Sequence, residues 1–255
     1  MLKNKVAVVT GGSSGIGAAV SEALAREGAA VAVVASRDAA KASRVVERIA
    51  SAGGRAQAFA ADVRSTESVE ALFRQVDAAF GGVDILINAA GVYYATPVAE
   101  TSDADVSNMI DINFKGAWNC ISAAVPRLKA RGGGRIVNFS SVAAYLGLGG
   151  FSIYCATKSA ITMLTRSLAC ELARFDINVN AIAPGNTATP MNEPFRTDPA
   201  SREYLAAMTK VTPSRVTFSD PAEIADAVVF IVTRGRAMHG STLLIDEGLA
   251  AGLVL

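Results

Sequence analysis

The sequence KVAVVTGGSSGIGAAVSEALAREGAAVAVVASR, residues 5–37, decides the fold of this chain. Its first part, VAVVT, is a short apolar run rich in β-branched residues, which predicts a strand buried on both faces. Gly11, Gly15 and Gly17 follow directly, and a helical pattern with one apolar side comes next. The stretch ends in a second apolar run, AVAVVA, at residues 30–35. Strand, glycine-rich turn, helix and strand together make one βαβ unit.

The start of this first helix is a predicted anion site. Unpaired backbone N–H groups and the positive end of the helix dipole both point there. The glycines allow the backbone to approach a pyrophosphate where a Cβ atom would collide with it. The spacing G-x-x-x-G-x-G differs from the commonest dinucleotide fingerprint, G-x-G-x-x-G. Because the turn is placed between a strand and a helix, it still indicates dinucleotide binding.

A second informative stretch is SSVAAYLGLGGFSIYCATK, residues 140–158. Tyr154 and Lys158 are four residues apart in a predicted helix, so their side chains share one face. A phenol has a pKa near 10, and a nearby ammonium group favours the phenolate. Lowering that pKa to about 7 requires roughly 4 kcal/mol. Ser141 ends the strand-like run RIVNFSS and can offer its hydroxyl to the same substrate oxygen. Without the other motifs, a Tyr and a Lys at this spacing are typical of an ordinary helix surface.

These motifs, in this order, resemble the short-chain dehydrogenase/reductase family, whose members are one-domain NAD(P)-dependent oxidoreductases. The resemblance extends over nearly the whole chain and implies a single-domain, Rossmann-type, doubly wound fold over residues 1–255. The matching segments are Thr10–Gly17, Asp62-Val63, Asn88–Gly91, Asn113, Ser141, Tyr154, Lys158 and Pro184-Gly185.

The alternation of strand and helix patterns independently predicts an α/β fold. Repeated βα units imply a parallel sheet of about seven strands with helices on both faces. The segment Asp220-Pro221-Ala222-Glu223 is a strong helix start, with an N-cap, a proline and an acid three residues on. The long stretch at about 184–220 is predicted to be irregular, and by resemblance it is the substrate loop. The predicted strands lie at about 5–10, 30–35, 55–60, 83–88, 134–140, 176–182 and 242–246.

The resemblance assigns a cofactor-binding role to four groups of residues, in addition to Tyr154 and Lys158. For the adenine, Asp62 would accept a hydrogen bond from the exocyclic amine and Val63 would donate its N–H; Asp62 could instead cap the helix that follows. These four groups are Gly11, Ser13, Ser14, Gly15, Ile16 and Gly17 at the pyrophosphate; Asp62 and Val63 at the adenine; Asn88, Ala89, Ala90 and Gly91 at the adenosine ribose; and Pro184, Gly185, Thr187 and Thr189 at the nicotinamide.

The end of the second strand bears on the choice between the two dinucleotides. Enzymes that use NAD often have a carboxylate there to hold the ribose 2′-hydroxyl, and this chain has Ala35 at that position. Ser36 and Arg37 follow, and a guanidinium group suits a 2′-phosphate. Asp38 either is the displaced acid or caps the next helix. NADP(H) is therefore favoured and NAD(H) remains open, since Ser14 stands where NADP-preferring members often have a basic residue.

The mechanism that the resemblance implies is reversible hydride transfer between the nicotinamide and a carbonyl or secondary alcohol. Tyr154 exchanges the proton, Lys158 lowers its pKa and holds the ribose, and Ser141 positions the oxygen. Asn113 is by resemblance the fourth catalytic residue and retains a water molecule, although an asparagine inside a helix could simply mark a kink. Ser140 is the rival of Ser141.

An NADPH-linked ketoreductase of the 3-oxoacyl type is the expected function. The alternatives are an NAD-linked dehydrogenase of a sugar, polyol or cyclic alcohol, and a noncatalytic dinucleotide-binding sensor. A complete catalytic set argues against the sensor. The candidate apolar wall for a small-molecule substrate consists of Met109, Val142, Tyr145, Phe151, Met191 and Phe195.

Composition agrees with a cytoplasmic enzyme. The chain of 255 residues is 51% hydrophobic, enough for one sizeable core, and its net charge of +1 gives no electrostatic footprint for nucleic acid or an anionic membrane. No apolar run is long enough to span a membrane. Its three cysteines lack C-x-x-C spacing, so no metal site is expected. By resemblance the molecule is a homotetramer. Glu247 replaces a usual glycine and is a candidate to alter a subunit contact.

Overall fold

A computed structural model describes residues 1–252, and residues 253–255 of the predicted domain lie outside the described part. The described chain forms one parallel sheet of seven strands in the order β3-β2-β1-β4-β5-β6-β7. The α/β class and the parallel sheet predicted from the sequence are confirmed. The strands are β1 (Val6–Thr10), β2 (Ala30–Ala35), β3 (Arg55–Ala60), β4 (Ile85–Asn88), β5 (Gly134–Phe139), β6 (Ile177–Pro184) and β7 (Thr242–Ile245).

Helices cover both faces of the sheet, because each strand that is buried on both faces needs an apolar layer on either side. One apolar cluster joins the sheet to α1, α2 and α9, and a second joins it to α3, α5 and α6. The helices are α1 (Gly15–Arg26), α2 (Ala39–Ser51), α3 (Thr66–Phe80), α4 (Asp103–Ile110), α5 (Gly116–Ala130), α6 (Ser152–Leu172), α7 (Glu193–Thr197), α8 (Arg202–Val211) and α9 (Pro221–Thr233). Within residues 1–252 no helix is both long and apolar enough to cross a membrane.

The segment at about 184–220 differs from its predicted irregular structure. β6 continues to Pro184, and α7 and α8 follow, joined by a short 3₁₀ turn at Pro199–Ser201. Pro194 and Pro199 each occupy the first turn of a helix. A proline is well tolerated there, since the N–H group that it lacks would have no partner inside the helix.

Helix starts predicted from the sequence are confirmed at two places. The Asp220 side chain accepts from the backbone N–H of Ala222, and the Glu223 side chain accepts from the backbone N–H of Asp220, which completes a capping box. Asp38 accepts from the N–H of Ala40 at 2.8 Å and caps α2. The alternative cap role of Asp62 is wrong, because α3 begins later and Ser65 is its N-cap.

The amino-terminal edge of the sheet contains a buried carboxylate. Asp84 accepts from the backbone N–H of Val6 at 2.9 Å, from Lys5 Nζ at 3.0 Å and from the Arg131 guanidinium at 3.0 Å. Burial acts to raise the pKa of Asp84, but the hydrogen bonds from Arg131, Val6 and Lys5 overcome this effect and lower the pKa. This network fastens β1 to β4.

The sheet order reverses direction between β1 and β4, which leaves a crevice beyond the carboxyl ends of these two strands. β1 pairs with both β2 and β4, and all the pairs are parallel. The segments predicted to bind a cofactor follow β1, β2, β3, β4 and β6, and Ser141 follows β5. Since parallel strands share one carboxyl edge, all these segments meet at the same side of the sheet.

Candidate active site

The glycine-rich turn packs against the segment that follows β4. Gly11 adopts φ +67°, and a Cβ atom there would lie 2.8 Å from the Ala89 carbonyl oxygen. A Cβ atom on Gly17 would overlap the Gly11 carbonyl oxygen. Glycine is therefore required at both positions, at Gly11 because the loop after β4 approaches the turn and at Gly17 because the turn folds back on itself. The structure brings residues 11–17 and 88–91 together as the sequence predicts.

The start of α1 is left without side-chain caps. Ser14 is its N-cap, but the Ser14 side chain makes no capping hydrogen bond, and no acidic residue stands in the first turn. Most N-caps satisfy one of the free N–H groups themselves. The positive end of this helix is thus available to an anion.

The loops after β2 and β3 lie close to each other. Ser36 and Arg37 are exposed beyond β2, and the Arg37 charge contributes to lowering the pKa of Asp62. Hydrogen bonds from the Arg64 guanidinium are the main cause of that lowered pKa, with Arg64 Nε and one terminal nitrogen donating at 2.9 and 2.6 Å. Arg64 also donates to Asn108 Oδ1 at 3.0 Å. Sequence reasoning missed Arg64, which holds the Asp62 carboxylate in place.

The three residues Ser141, Tyr154 and Lys158 meet at the carboxyl end of β5. A hydrogen bond between the Ser141 hydroxyl and the Tyr154 phenol acts to lower the pKa of Tyr154. Lys158 is buried, and its Nζ lies 5.6 Å from the centroid of the Tyr154 ring. The rival Ser140 turns the other way: its hydroxyl donates to the Lys158 carbonyl oxygen at 3.0 Å and contacts Thr162 at 2.8 Å.

In the protein alone, the pKa of Tyr154 lies above the ordinary value of a phenol. Burial raises the pKa of Tyr154 to about 12, an effect that the Ser141 hydroxyl only partly offsets. Lys158 does not bring this pKa toward 7 in the protein alone, since Nζ lies beside the ring and donates to the Phe139 carbonyl oxygen at 2.8 Å. Burial also lowers the pKa of Lys158, to about 8. Tyr154 is consequently a neutral phenol that can donate a proton.

Asn113 lies in a π-helical turn, Asp111–Lys115, between α4 and α5. Such turns are rare and are often found at functional sites. The Asn113 amide accepts from the backbone N–H of Val92 at 2.8 Å and donates to the Val92 carbonyl oxygen at 3.0 Å. A Cβ atom on Gly91 would lie 3.3 Å from Asn113 Oδ1 and 3.8 Å from Lys158 Nζ. Asn113 Nδ2 also donates to Thr157 Oγ1 at 3.4 Å, so Asn113 joins the loop after β4 to the helix that carries Lys158.

The segment after β6 reaches back over the glycine turn. A Cβ atom on Gly15 would lie 3.2 Å from the Thr189 side chain. Asn192 fixes this segment, since its Oδ1 accepts from the Thr189 N–H at 3.1 Å and its Nδ2 donates to the Thr187 carbonyl oxygen at 2.8 Å. Sequence reasoning did not single out Asn192, which lies three residues after Thr189.

Glu247 holds the same segment from the other side. It has φ +58°, which suits the glycine that it replaces, and its Oε1 accepts from the Ser219 hydroxyl at 2.7 Å. Ser219 is buried and pairs as a β-bridge with Thr187. The Glu247 side chain thus contacts its own chain, at the residue that pairs with Thr187. The sequence marked Glu247 as a departure without revealing this contact.

Comparisons with known proteins identify the family. A family model described as short chain dehydrogenase matches residues 5–200. The chain belongs to the short-chain dehydrogenase family. It is 37% identical to 3beta-hydroxysteroid dehydrogenase 1 of Eggerthella lenta over 97% of this chain and 94% of that protein. It is 35% identical to 3-oxoacyl-(acyl-carrier-protein) reductase FabG of Staphylococcus aureus over 98% and 99% of the two chains.

Solved structures agree with this family. The crystal structure of a dehydrogenase/reductase from Sinorhizobium meliloti 1021 superposes with a TM-score of 0.89 at 38% identity, covering 97% of this chain and 95% of that one. The fold predicted for a short-chain dehydrogenase is confirmed, and the chain is an oxidoreductase of this family. Members of the family bind nicotinamide cofactors.

The residues of this short-chain dehydrogenase fit a dinucleotide. The start of α1 offers uncapped N–H groups to a diphosphate, and Gly11 and Gly17 leave the space that a Cβ atom would fill. Asn88 is buried at the end of β4, where its Nδ2 donates to Asn138 at 2.9 Å while its Oδ1 has no protein partner. A buried oxygen without a partner is costly, and a bound ribose hydroxyl or a water molecule would satisfy it.

Proposed function

We propose that this chain catalyses reversible hydride transfer between a nicotinamide dinucleotide and a carbonyl or secondary alcohol carbon, most readily as an NADPH-linked ketoreductase. The observation that carries the proposal is the set of Ser141, Tyr154 and Lys158 at the carboxyl end of β5, in which Ser141 and Lys158 are buried and Tyr154 is partly exposed. When bound, the dinucleotide supplies or takes the hydride. The protein orients the reactants and handles the proton.

In the reductive direction, Tyr154 donates its hydroxyl proton to the carbonyl oxygen while the carbonyl carbon gains the hydride. A pKa of about 12 keeps the phenol protonated at neutral pH, ready for this step. Ser141 donates to the same oxygen and stabilises the developing negative charge. The product is the secondary alcohol, and Tyr154 recovers its proton from solvent.

In the oxidative direction, Tyr154 must accept the alcohol proton, and its pKa of about 12 opposes this at neutral pH. Reaching a pKa near 7 requires about 7 kcal/mol of additional stabilisation of the phenolate. The Lys158 ammonium lies 5.6 Å from the ring centroid and would supply part of it. We therefore assign the lysine to holding the ribose and stabilising the phenolate, and Asn113 to retaining a water molecule next to Lys158.

Arg37 supports a preference for NADPH. Asp38, the acid that could have held a free ribose hydroxyl, is engaged in capping α2 at 2.8 Å from the Ala40 nitrogen. Ser36 and Arg37 are left exposed at the end of β2. The Arg37 guanidinium suits the 2′-phosphate of NADPH, because a guanidinium group forms bidentate hydrogen bonds with a phosphate.

Fluorescence titrations with NADPH and NADH test this preference, on the wild type and on Arg37→Ala. We expect NADPH to bind at least tenfold more tightly, about 1.4 kcal/mol, and Arg37→Ala to remove the difference. Arg44→Ala, an exposed arginine on α2, is the matched control and should retain it. Equal or tighter binding of NADH by the wild type would contradict the assignment of Arg37.

Substitution of the base tests the chemistry. Tyr154→Phe removes the proton donor but keeps the ring, so we expect the turnover rate to fall by at least a hundredfold while the dinucleotide still binds. An unchanged rate would overturn the role of Tyr154. The control is Phe230→Ala, an exposed aromatic residue on α9 outside the candidate site, which should retain the rate.

A second candidate is an NAD-linked dehydrogenase of a cyclic alcohol. It is favoured by the 37% identity to a protein named 3beta-hydroxysteroid dehydrogenase 1. Assays of cyclic alcohols with NAD⁺ and of ketones, 3-oxoacyl thioesters included, with NADPH separate the two candidates. Faster turnover with the alcohols would select this second function.

We also propose that residues 184–220 form the substrate-binding segment of a single catalytic domain, and that the enzyme is a homotetramer. The Thr189 side chain, which lies next to Gly15 of the glycine turn, supports the first proposal. Trp118 on α5 and Met163 on α6 support the second, because large exposed apolar side chains there suit a subunit interface. Light scattering of the protein measures the assembly, and a monomer would contradict it.

A further inference from the structure

An aromatic cluster stands beside the catalytic tyrosine. The Tyr93 ring stacks on Phe151, with a centroid distance of 4.6 Å and an interplanar angle of 3°. It meets the Tyr154 ring edge to face at 4.8 Å and 78°. Tyr93 is nevertheless 39% exposed, so part of its aromatic surface remains free next to the proton donor. Aromatic surface in such a position gains free energy when a ligand ring packs on it.

The backbone around Tyr93 is fixed on both sides. Val92 is held by two hydrogen bonds to the Asn113 amide, at 2.8 and 3.0 Å. The Tyr94 hydroxyl donates to the Asp105 carbonyl oxygen at 2.7 Å, and the Thr96 N–H donates to the Gly150 carbonyl oxygen at 2.6 Å. Residues 92, 94 and 96 are thus each held by a hydrogen bond. Tyr93 therefore has little conformational freedom to lose when a ligand binds. Preorganisation of this kind increases affinity.

The segment after β6 carries a second aromatic pair. Phe195 of α7 and Tyr204 of α8 meet edge to face at 5.8 Å, and both are exposed. Tyr204 is close enough to Tyr93 to contribute to the raised pKa of Tyr93, for which burial is the main cause. The exposed aromatic pair of the candidate substrate segment therefore lies near Tyr93, which itself contacts the Tyr154 ring.

The structure changes the set of residues expected to form the apolar wall of the substrate site. Met109 is fully buried in the interior, and Val142 is buried as well, so neither lines the wall. Tyr145 and Met191 remain exposed and Phe151 is partly exposed, while Tyr93 enters as a residue that the sequence did not single out.

We propose that Tyr93 is a specificity-determining residue, and that the enzyme selects ketones and alcohols whose reacting carbon belongs to a ring over acyclic ones of equal carbon number. The proposal rests on the proposed hydride-transfer function of the same site. A planar ring can cover the free surface of Tyr93 while its oxygen reaches Tyr154, whereas a flexible chain gains less from a flat surface and loses more conformational entropy on binding.

A pair of ketones with ten carbon atoms each tests the proposal. The bicyclic ketone 2-tetralone and the acyclic ketone 2-decanone are assayed with NADPH and with NADH on the wild type, Tyr93→Phe, Tyr93→Leu and Tyr93→Ala. We expect the wild type to have the higher kcat/KM for 2-tetralone. Tyr93→Ala and Tyr93→Leu should reduce that value about tenfold and change 2-decanone less than twofold, while Tyr93→Phe retains the preference.

Two controls keep the outcomes separate. Phe230→Ala, an equally exposed aromatic residue on α9, should leave both ketones unaffected. Calorimetric titration of 2-tetralone into the protein with NADP⁺ present measures binding without turnover, and Tyr93→Ala should weaken it about tenfold. If neither ketone is reduced, the hydride-transfer proposal fails while this titration still decides the ring preference. Equal losses on both ketones, no loss on either, or unchanged 2-tetralone binding would overturn the role of Tyr93.

Discussion

The variant Lys158→Met tests whether the buried lysine, although it serves the reaction, lowers the free energy of unfolding of the protein. Burial lowers the pKa of Lys158 from 10.5 to about 8. At about 1.36 kcal/mol per unit, a charged Lys158 destabilises the folded protein by roughly 3 kcal/mol at pH 7. Methionine has a similar volume and carries no charge, but it leaves the Phe139 carbonyl oxygen without its donor, which costs about 1–3 kcal/mol. The variant should therefore be as stable as the wild type or up to about 2 kcal/mol more stable, although it is inactive.

The pH dependence gives the sharper measurement. Because the folded-state pKa is below that of the unfolded chain, the unfolded state binds more protons between about pH 8 and pH 10.5, and wild-type stability rises with pH there. The destabilisation of the folded protein by Lys158, about 3 kcal/mol at pH 7, falls to about 1 kcal/mol at pH 10. Urea unfolding at fixed protein concentration, at pH 7 and pH 10, measures the free energy of unfolding of both proteins. The advantage of Lys158→Met over the wild type should shrink by about 2 kcal/mol.

The control is Lys41→Met, an exposed lysine on α2, whose difference from the wild type should stay constant between the two pH values. The reasoning is refuted if Lys158→Met is less stable than the wild type by more than about 1 kcal/mol at pH 7. A difference that does not change with pH would refute it equally, since the lysine would then have an ordinary pKa.

Three further changes test other parts of the structure. Gly17→Ala should weaken dinucleotide binding at least a hundredfold in a fluorescence titration, because its Cβ atom would overlap the Gly11 carbonyl oxygen; retained binding would contradict the tight turn. Glu247→Gln should raise the KM for the dinucleotide several-fold with little change in kcat, and Ser219→Ala should act alike, since both break the 2.7 Å contact; an effect on kcat alone would count against a positioning role. Asp84→Asn should cost about 1–3 kcal/mol of unfolding free energy at pH 7, measured by urea unfolding. The lowered pKa of Asp84 means that this contribution is present above about pH 4 and is lost as the pH falls through the folded-state pKa, so the two proteins should converge in acid; a constant gap would contradict the network.

Local patterns in the sequence predicted much of the fold. The predicted strands agree with the observed ones to within two residues, because β-branched apolar runs and the glycines that end them act over a few residues. The Asp220 and Asp38 caps were predictable for the same reason: each bonds a backbone N–H only two residues away. The glycine turn and the four-residue spacing of Tyr154 and Lys158 also required no knowledge of distant contacts.

Local patterns failed where neighbouring residues left the choice open. The prolines at residues 190–213 are consistent with a loop or with helix starts, and the structure uses Pro194 and Pro199 as helix starts. Asn113 could indicate a catalytic residue or a kink in the helix. The structure places it in a π-helical turn, an irregular conformation that is also common at functional sites. In both cases packing against the rest of the chain decides between conformations of similar local free energy.

The sequence by itself determined the first βαβ unit, the alternation of strands and helices that makes the sheet parallel, and the identity of the residues that meet at the carboxyl edge of the sheet. Only the tertiary structure decided that the pKa of Tyr154 is about 12 and that Lys158 Nζ bonds the Phe139 carbonyl oxygen. It also decided that Glu247 bonds Ser219 and that Tyr93 stacks on Phe151 beside Tyr154. The physical reason is range: periodicity and capping depend on adjacent residues, whereas burial, pKa and aromatic packing depend on groups that only folding brings together.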